Sequence, residues 1–461
     1  MQLNPSIFRE YDIRGRENDQ ELNVNSLELL GKAYGTFLAK RGIQESVVAH
    51  DNRATSEEFY QAAIRGLLNS GCNVIEIGMA TTPMFYWSQH YLQTKGGLMV
   101  TASHNPVGWN GLKLSLGYSH TLNQQDLQEI RQIIEQKGFS QGQGKILRKE
   151  EIFPPYKKDL LSRVSSIRPF KVVVNTGNGT AGFFAPQILR EAGCQVIEYL
   201  TNPDPAYPKY TPNPANVEMM EDTGSQVISH GADFGFAFDG DADRLGLVDE
   251  KGENIWPDRY LILLSRLMLQ KKPGAKIVFD VKVSQALPED IKNHGGVPIM
   301  WKTGHSYIKE KMQQEGAALG GEMSGHIFFS EGYYGFDDAM FASLQLLEYF
   351  SRENKKVSEL IASTPYYISS PALHASCPDD KKYWVVEQLT EEFKKEYEVI
   401  DINGARVLFG DGWGLVRATS NLPALVLRFE AKTKERLAEI EQLFRAKLQR
   451  FDFVGKDWES A

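Results

Sequence analysis

Apolar residues along this chain fall into short runs separated by stretches of helical period, and one arrangement recurs three times. In SVVAHDNRATSEEFYQAAIRGLLNSGCNVIEIG (46–78) a β-branched run leads through a polar loop into an amphipathic stretch, a small-residue turn and a second apolar run. KVVVNTGNGTAGFFAPQILREAGCQVIEYL (171–200) has the same layout, and AKIVFDVKVSQALPEDIKNHGGVPIMWKTGH (275–305) is a shorter third copy. Each predicts two parallel strands joined by a helix in a right-handed crossover. Cys72 and Cys194 occupy matching points of two copies and read as small packing residues.

Between the copies the pattern weakens. Residues 140–156 (SQGQGKILRKEEIFPPY) read as a linker, because polar Gly and Gln give way to a Pro-Pro turn. Further breaks are expected near 248–257 and 361–372. Beyond the last, strand periodicity is followed by one long amphipathic helix, without the repeated layout. The expected fold class is α/β: three related mixed α/β-sheet domains (1–148, 149–253, 254–365) and a smaller α+β C-terminal domain (366–461).

A length of 461 residues is too great for one core and agrees with several domains. The apolar share of 42% and charged share of 24% are those of an ordinary globular protein. A net charge of -8 argues against a nucleic-acid or membrane-surface partner, so an anionic ligand would need a local Arg/Lys cluster. The three cysteines make no metal-type pair and no disulfide framework. With no signal-like N-terminus and no apolar window of membrane length, a cytoplasmic setting is expected.

The strongest chemical signal is FGFAFDGDADRLGLVDE (234–250). Asp239, Asp241 and Asp243 alternate with small residues, so their carboxylates can converge on one side. Three such charges repel unless a cation lies among them, and oxygen ligands without His or Cys suit Mg²⁺. An EF-hand is excluded because Arg244 stands where the turn needs Gly and because the flanks read as strands.

Four further windows are weaker singly. In GGLMVTASHNPVGWNGLK (96–113) a strand ends at Thr101 and an Asn105-Pro106 turn carries Ser103. A Ser-His hydrolase is disfavoured there: adjacent Ser103 and His104 are not expected to face each other, and the elbow glycines are absent. ALGGEMSGHIFF (318–329) alternates Glu322, Ser324 and His326, which on one extended face would suit sugar hydroxyls. GWGLVRATSNLP (412–423) offers Arg417, Thr419, Ser420 and Asn421 as phosphate donors. FREYDIRG (8–15) sets Arg9 and Arg14 about Tyr11.

Taken together, TASHNP, DGDADR, GEMSGH and RATSNLP resemble the motifs of the α-D-phosphohexomutase family, and FREYDIRG and TGHSYIK (303–309) add to the likeness. Met323 in the sugar loop resembles the bacterial phosphomannomutase/phosphoglucomutase type. The last loop departs from the family's Arg-x-Ser-Asn, since Thr419 and Ser420 stand where Ser and Asn are expected.

The resemblance implies four domains around a central cleft, in order bearing the phosphoserine, the metal, the sugar-recognition residues and the phosphate-binding loop. It implies an intramolecular phosphotransferase that interconverts hexose 1- and 6-phosphates of mannose, glucose or both, through phospho-Ser103 and a hexose 1,6-bisphosphate. One Mg²⁺ per chain would sit on Ser103, Asp239, Asp241 and Asp243, with hexose 1,6-bisphosphate as activator. Arg14, His104 and Lys113 would lie near the transferring phosphate. Tyr11, Arg244, Lys282, His305, Glu322, Ser324, His326, Arg417, Thr419, Ser420 and Asn421 would hold the phosphosugar, with a hinge near residue 366. The chain is expected as a monomer or small homo-oligomer. Two rivals are a Mg²⁺ phosphatase with Asp239 as nucleophile, which has no use for Asp243, and a non-catalytic sugar-phosphate binder. Neither requires all four windows.

Overall fold

The structure is a computed structural model that describes residues 3–419 and 422–460. It divides into two compact units, Met1–Tyr260 with Ser324–Leu360, and Leu261–Met323 with Ile361–Ala461.

The first unit contains two sheets. Strands β1 (Ile13–Arg16), β2 (Glu45–His50), β3 (Asn73–Met79), β4 (Gly96–Val100), β5 (Trp109–Leu116), β6 (His120–Thr121) and β7 (Ile146–Lys149) build one, in the order β1-β5-β4-β2-β3-β7 with β6 beside β5. β2 runs parallel to β3 and β4, while β5 returns antiparallel between β4 and β1. Val47, Val48 and Ala49 are buried, as expected of a strand covered on both faces. The helix Val24–Ala39 begins at a capping box, in which Asn23 Oδ1 accepts from Ser26 N (3.1 Å) and Ser26 Oγ from Asn23 N (2.8 Å). Its face joins Ser56–Asn69 around Leu27, Leu30, Tyr34 and Phe37 in the core.

The second sheet comprises β8 (Lys171–Asn175), β9 (Gln195–Tyr199), β10 (Phe234–Phe238), β11 (Leu245–Val248) and β12 (Asn254–Ile255), ordered β12-β11-β10-β8-β9. β9, β8 and β10 are parallel; β10 and β11 form an antiparallel hairpin whose loop is 239–244.

In the second unit β13 (Lys276–Asp280), β14 (Val297–Trp301) and β15 (Leu319–Gly321) lie parallel in the order β14-β13-β15. β16 (Ile327–Phe329) belongs to the first unit. The C-terminal sheet is antiparallel: β17 (Ile368–Ser369), β18 (Leu373–Ser376), β19 (Glu398–Ile400), β20 (Ala405–Leu408), β21 (Gly412–Ala418), β22 (Ala424–Ala431) and β23 (Glu459–Ser460) run β19-β20-β21-β22-β18-β23, with β17 beside β22. Helices Lys382–Phe393 and Lys434–Leu448 bury Leu389, Phe393, Ile440 and Phe444 against Val416, Leu427 and Phe429.

All three repeated stretches are therefore β-α-β units with parallel strands, and the C-terminal portion is α+β. Two expectations fail. Residues 140–156 are not a plain linker, because β7 pairs with β3 and the helix Phe153–Ser162 starts there. β7 is exposed along its length, so no apolar alternation marked it. The segment from Glu322 to His326 is not extended; it turns at Met323–Gly325, with Gly325 at φ +97°. Among the described residues no helix is long and apolar enough to cross a membrane.

Candidate functional site

In the first unit the C-terminal end of β4 delivers Thr101 and Ser103, while the β10–β11 hairpin delivers the aspartates. Ser103 is buried at φ +48°, a conformation that costs a non-glycine residue about 1–3 kcal/mol and persists only where surroundings enforce it. Its Oγ donates to Asp239 Oδ2 at 2.5 Å and lies 3.1 Å from His104 Nδ1. The two neighbours do face each other, contrary to the sequence reading, because the left-handed backbone at Ser103 turns its side chain back. Gly240 is required beside it: a Cβ there would collide with the Ser103 carbonyl oxygen.

Asp239, Asp241 and Asp243 each offer a carboxylate oxygen, and these atoms lie within 4.8 Å of one another. All three are at most 1% exposed. Lys113, projecting from β5, pairs with Asp243 and lies 2.9 Å from Asp241 Oδ2. Burial alone would depress its pKa, but Asp241 and Asp243 hold it well above the ordinary lysine value. Burial, then Asp243 and Asp241, push the Asp239 carboxyl well up. Asp241 goes the other way: burial would raise it, but Lys113, Thr82 and Arg14 outweigh that. Thr82 Oγ1 and Thr101 Oγ1 donate to Asp241 Oδ2 at 2.7 and 3.1 Å.

One lysine does not neutralise three buried carboxylates. Asp241 Oδ1 and Asp243 Oδ1 are buried with no hydrogen-bond partner among the described residues. Buried acceptors of this kind are costly unless a cation takes their lone pairs, so the residues fit a hard divalent ion.

Around this cluster Arg14 donates to Asp12 Oδ2 (2.8 Å) and to the Thr101 carbonyl (2.9 Å). Burial, then Arg244 and Arg14, hold the His104 imidazole well below its ordinary pKa, so it is neutral at pH 7. Arg244 Nε donates to His326 Nε2 at 3.0 Å, which leaves the ring proton on Nδ1, 2.9 Å from Asp337 Oδ2. His326 thus faces Arg244 and Asp337. Tyr11 and Ser324 are half-buried.

In the second unit Asp280, at the end of β13, gathers Lys282 Nζ (3.5 Å), Thr303 Oγ1 (3.1 Å) and Met323 N (3.4 Å). Glu322 Oε1 accepts from Gly304 N at 2.6 Å, beside His305 at the start of the helix His305–Glu315. Arg417 is the penultimate residue of β21, its Nε donating to the Ala418 carbonyl (3.3 Å). The Thr419 hydroxyl donates to the Leu422 carbonyl and accepts from Leu422 N (3.1 Å). Ser420 and Asn421 lie outside the described residues.

The sequence reading missed Thr82 and Asp337. Thr82-Pro83 reads as a helix start, and the pair Asp337-Asp338 as a helix cap, which Asp338 is. Only their neighbours in space reveal Thr82 and Asp337 as parts of the cluster.

Comparison with known proteins adds an independent line. The profile described as "Phosphoglucomutase/phosphomannomutase, alpha/beta/alpha domain I" matches residues 5–141. Domains II and III of the same description match 154–252 and 256–367, and the C-terminal domain matches 374–447. The chain is 40% identical over 451 residues to a phosphomannomutase/phosphoglucomutase of Pseudomonas aeruginosa, covering 98% of this chain and 97% of that protein. It is 39% identical over 448 residues to a phosphoglucomutase of Neisseria gonorrhoeae, covering 96% of each. A crystal structure of a phosphoglucomutase/phosphomannomutase family protein from Burkholderia thailandensis superposes with a TM-score of 0.90 at 34% identity, over 97% of this chain and 98% of that one.

Proposed function

Since the chain belongs to the phosphoglucomutase/phosphomannomutase family, we propose that it is a mutase interconverting hexose 1-phosphate and hexose 6-phosphate of glucose, mannose or both, with Ser103 as phosphate carrier. The observation that carries this reading is the 2.5 Å contact of Ser103 Oγ with Asp239 inside a cluster of three convergent carboxylates. A serine hydroxyl beside a cation site suits a phosphate that is loaded and handed on.

Ser103, Asp239, Asp241 and Asp243 would hold Mg²⁺, which when bound supplies charge neutralisation for the transferring phosphoryl group. The chain's own residues do the rest. Arg14 and Lys113, fixed by their acidic partners, hold positive charge beside the carrier. In the first transfer a free sugar hydroxyl forms a bond to phosphorus as the bond from phosphorus to Ser103 Oγ breaks. Net, the hydroxyl proton ends on Ser103 Oγ and a hexose 1,6-bisphosphate results. The same steps in reverse, with the other phosphate, reload Ser103. A hexose 1,6-bisphosphate would accordingly activate enzyme that has lost its phosphate.

Lys282, His305, Glu322, Ser324 and Arg417 are assigned to the phosphosugar, with Tyr11, Thr419, Ser420 and Asn421 assigned by motif alone. His326 is assigned to orienting Arg244. The roles follow the order of domains 1–148, 149–253, 254–365 and 366–461: carrier, metal, sugar and distal phosphate. Three buried, unpaired cysteines suit a reducing cytoplasm.

A coupled assay of glucose 1-phosphate and mannose 1-phosphate with Mg²⁺ and trace hexose 1,6-bisphosphate tests the reading. Conversion to the 6-phosphates, with one phosphate on the Ser103 peptide by mass, is expected. Steady release of inorganic phosphate, undiminished in Ser103→Ala, would instead establish a phosphatase.

A further inference from the structure

Arg53 lies in the loop after β2, with its side chain 3% exposed, and no motif of the sequence drew attention to it. Its guanidinium gathers four backbone carbonyls: Ser103 (2.8 Å) and Asn105 (2.5 Å) from Nη2, Pro106 (3.0 Å) and Trp109 (3.1 Å) from Nη1. All four belong to the segment that carries Ser103. Four carbonyl dipoles converging on one buried point repel one another, and the planar fork of an arginine is the side chain that satisfies them together.

The counter-charge is built in. Asp51 Oδ2 lies 3.5 Å from Arg53 Nε and accepts from Ala102 N at 3.3 Å, while Asp51 Oδ1 accepts from Arg53 N (3.0 Å) and Ser56 Oγ (2.5 Å). The pair therefore adds little net charge to the site. What it adds is fixity: the residue before Ser103 is held by Asp51 and the residues after it by Arg53. Gly240 passes so close to the same Ser103 carbonyl that a Cβ there would collide with its oxygen.

We propose that Arg53, backed by Asp51, is a positioning residue for phosphoryl transfer, holding Ser103 in its left-handed conformation so that the carrier oxygen stays against the metal loop. The inference rests on the phosphohexomutase reading above. Arginine is specific here because lysine, with one nitrogen and three donors, cannot reach four carbonyls spread over residues 103–109. A displacement of about 1 Å at a reacting atom costs on the order of a hundredfold in rate.

The test is single-turnover transfer from phospho-Ser103 to glucose 1-phosphate in wild type and Arg53→Lys, with the competing loss of phosphate to water measured in the same reaction. In Arg53→Lys we expect the transfer rate to fall about tenfold or more, with KM for the sugar phosphate within about threefold and more phosphate lost to water per transfer. A residue that merely stabilised the fold would lower the amplitude, as fewer molecules are active, and leave rate and partition of the remainder unchanged. That outcome, or a transfer rate within twofold of wild type, overturns the proposal. Should Arg53→Lys not be recovered folded, Asp51→Asn keeps the guanidinium, removes its counter-charge, and carries the same expectation and the same refutation. Wild type run in parallel separates the two ideas: if it transfers no phosphate to the sugar, the mutase reading itself fails.

Discussion

Ser103 shows how much a single residue depends on its surroundings. Its hydroxyl has ordinary chemistry, yet it is buried at positive φ, between Asp239 on one side and His104 on the other. Ser103→Ala removes the carrier oxygen, and kcat for glucose 1-phosphate should drop about a thousandfold or more with the fold intact by circular dichroism. Asp241 is tied by three side chains, Lys113, Thr82 and Thr101. Asp241→Asn should weaken Mg²⁺ binding about 10- to 100-fold, read by calorimetric titration without substrate. An unaltered affinity would move the metal away from this cluster.

At the scale of elements, the C-terminal sheet of the second unit holds the loop that carries Lys282, which is proposed above to meet the phosphosugar. Arg406 of β20 is fully buried, stacks on Trp413 (3.7 Å) and donates to the carbonyls of Val281 (2.7 Å) and Val283 (2.8 Å), on either side of Lys282. Glu430 of β22 accepts from Gln285 N (2.8 Å) and Trp413 Nε1 (2.7 Å) in the same region. Arg406→Met leaves two carbonyls unpaired and should cost about 2–3 kcal/mol in denaturant unfolding, together with a raised KM as Lys282 loosens. In the first unit His90, near the end of the helix Thr82–Tyr91, is pushed down to about 4 by burial and by His120. A depressed pKa means that the unfolded chain takes up the proton first. The associated stability is present above about pH 6.5 and lost as pH falls through about 4. His90→Gln should flatten the fall of melting temperature across that window relative to wild type. A parallel pair of curves would remove His90 from the acid response.

For the whole molecule, a cation bound only by the native state adds stability by mass action. At a hundred times its dissociation constant the gain is about 2.7 kcal/mol, a shift of a few degrees for a chain of this size. Mg²⁺ should therefore raise the transition that includes the β10–β11 loop, EDTA should reverse it, and in Asp241→Asn the gain at the same Mg²⁺ concentration should shrink to about 0.4–1.4 kcal/mol. At this scale the sequence was informative where chemistry and period are local. Three β-α-β units were legible because the first strand of each, buried along nearly its whole length, is largely apolar, and the crossover helix must show a 3.6-residue stripe. The aspartates of 239–243 were legible because alternation with small residues brings like charges together, which only a cation relieves. β7 was not, since an exposed edge strand carries no apolar signature. The approach of Ser103 to Asp239 across 136 residues was expected only through the family resemblance, and neither the turn at Met323–Gly325 nor the grip of Arg53 on a loop 50 residues away was legible. Those contacts join side chains to distant backbone, and no periodicity within one segment encodes which carbonyl an arginine will meet; packing of the strands that carry them decides it.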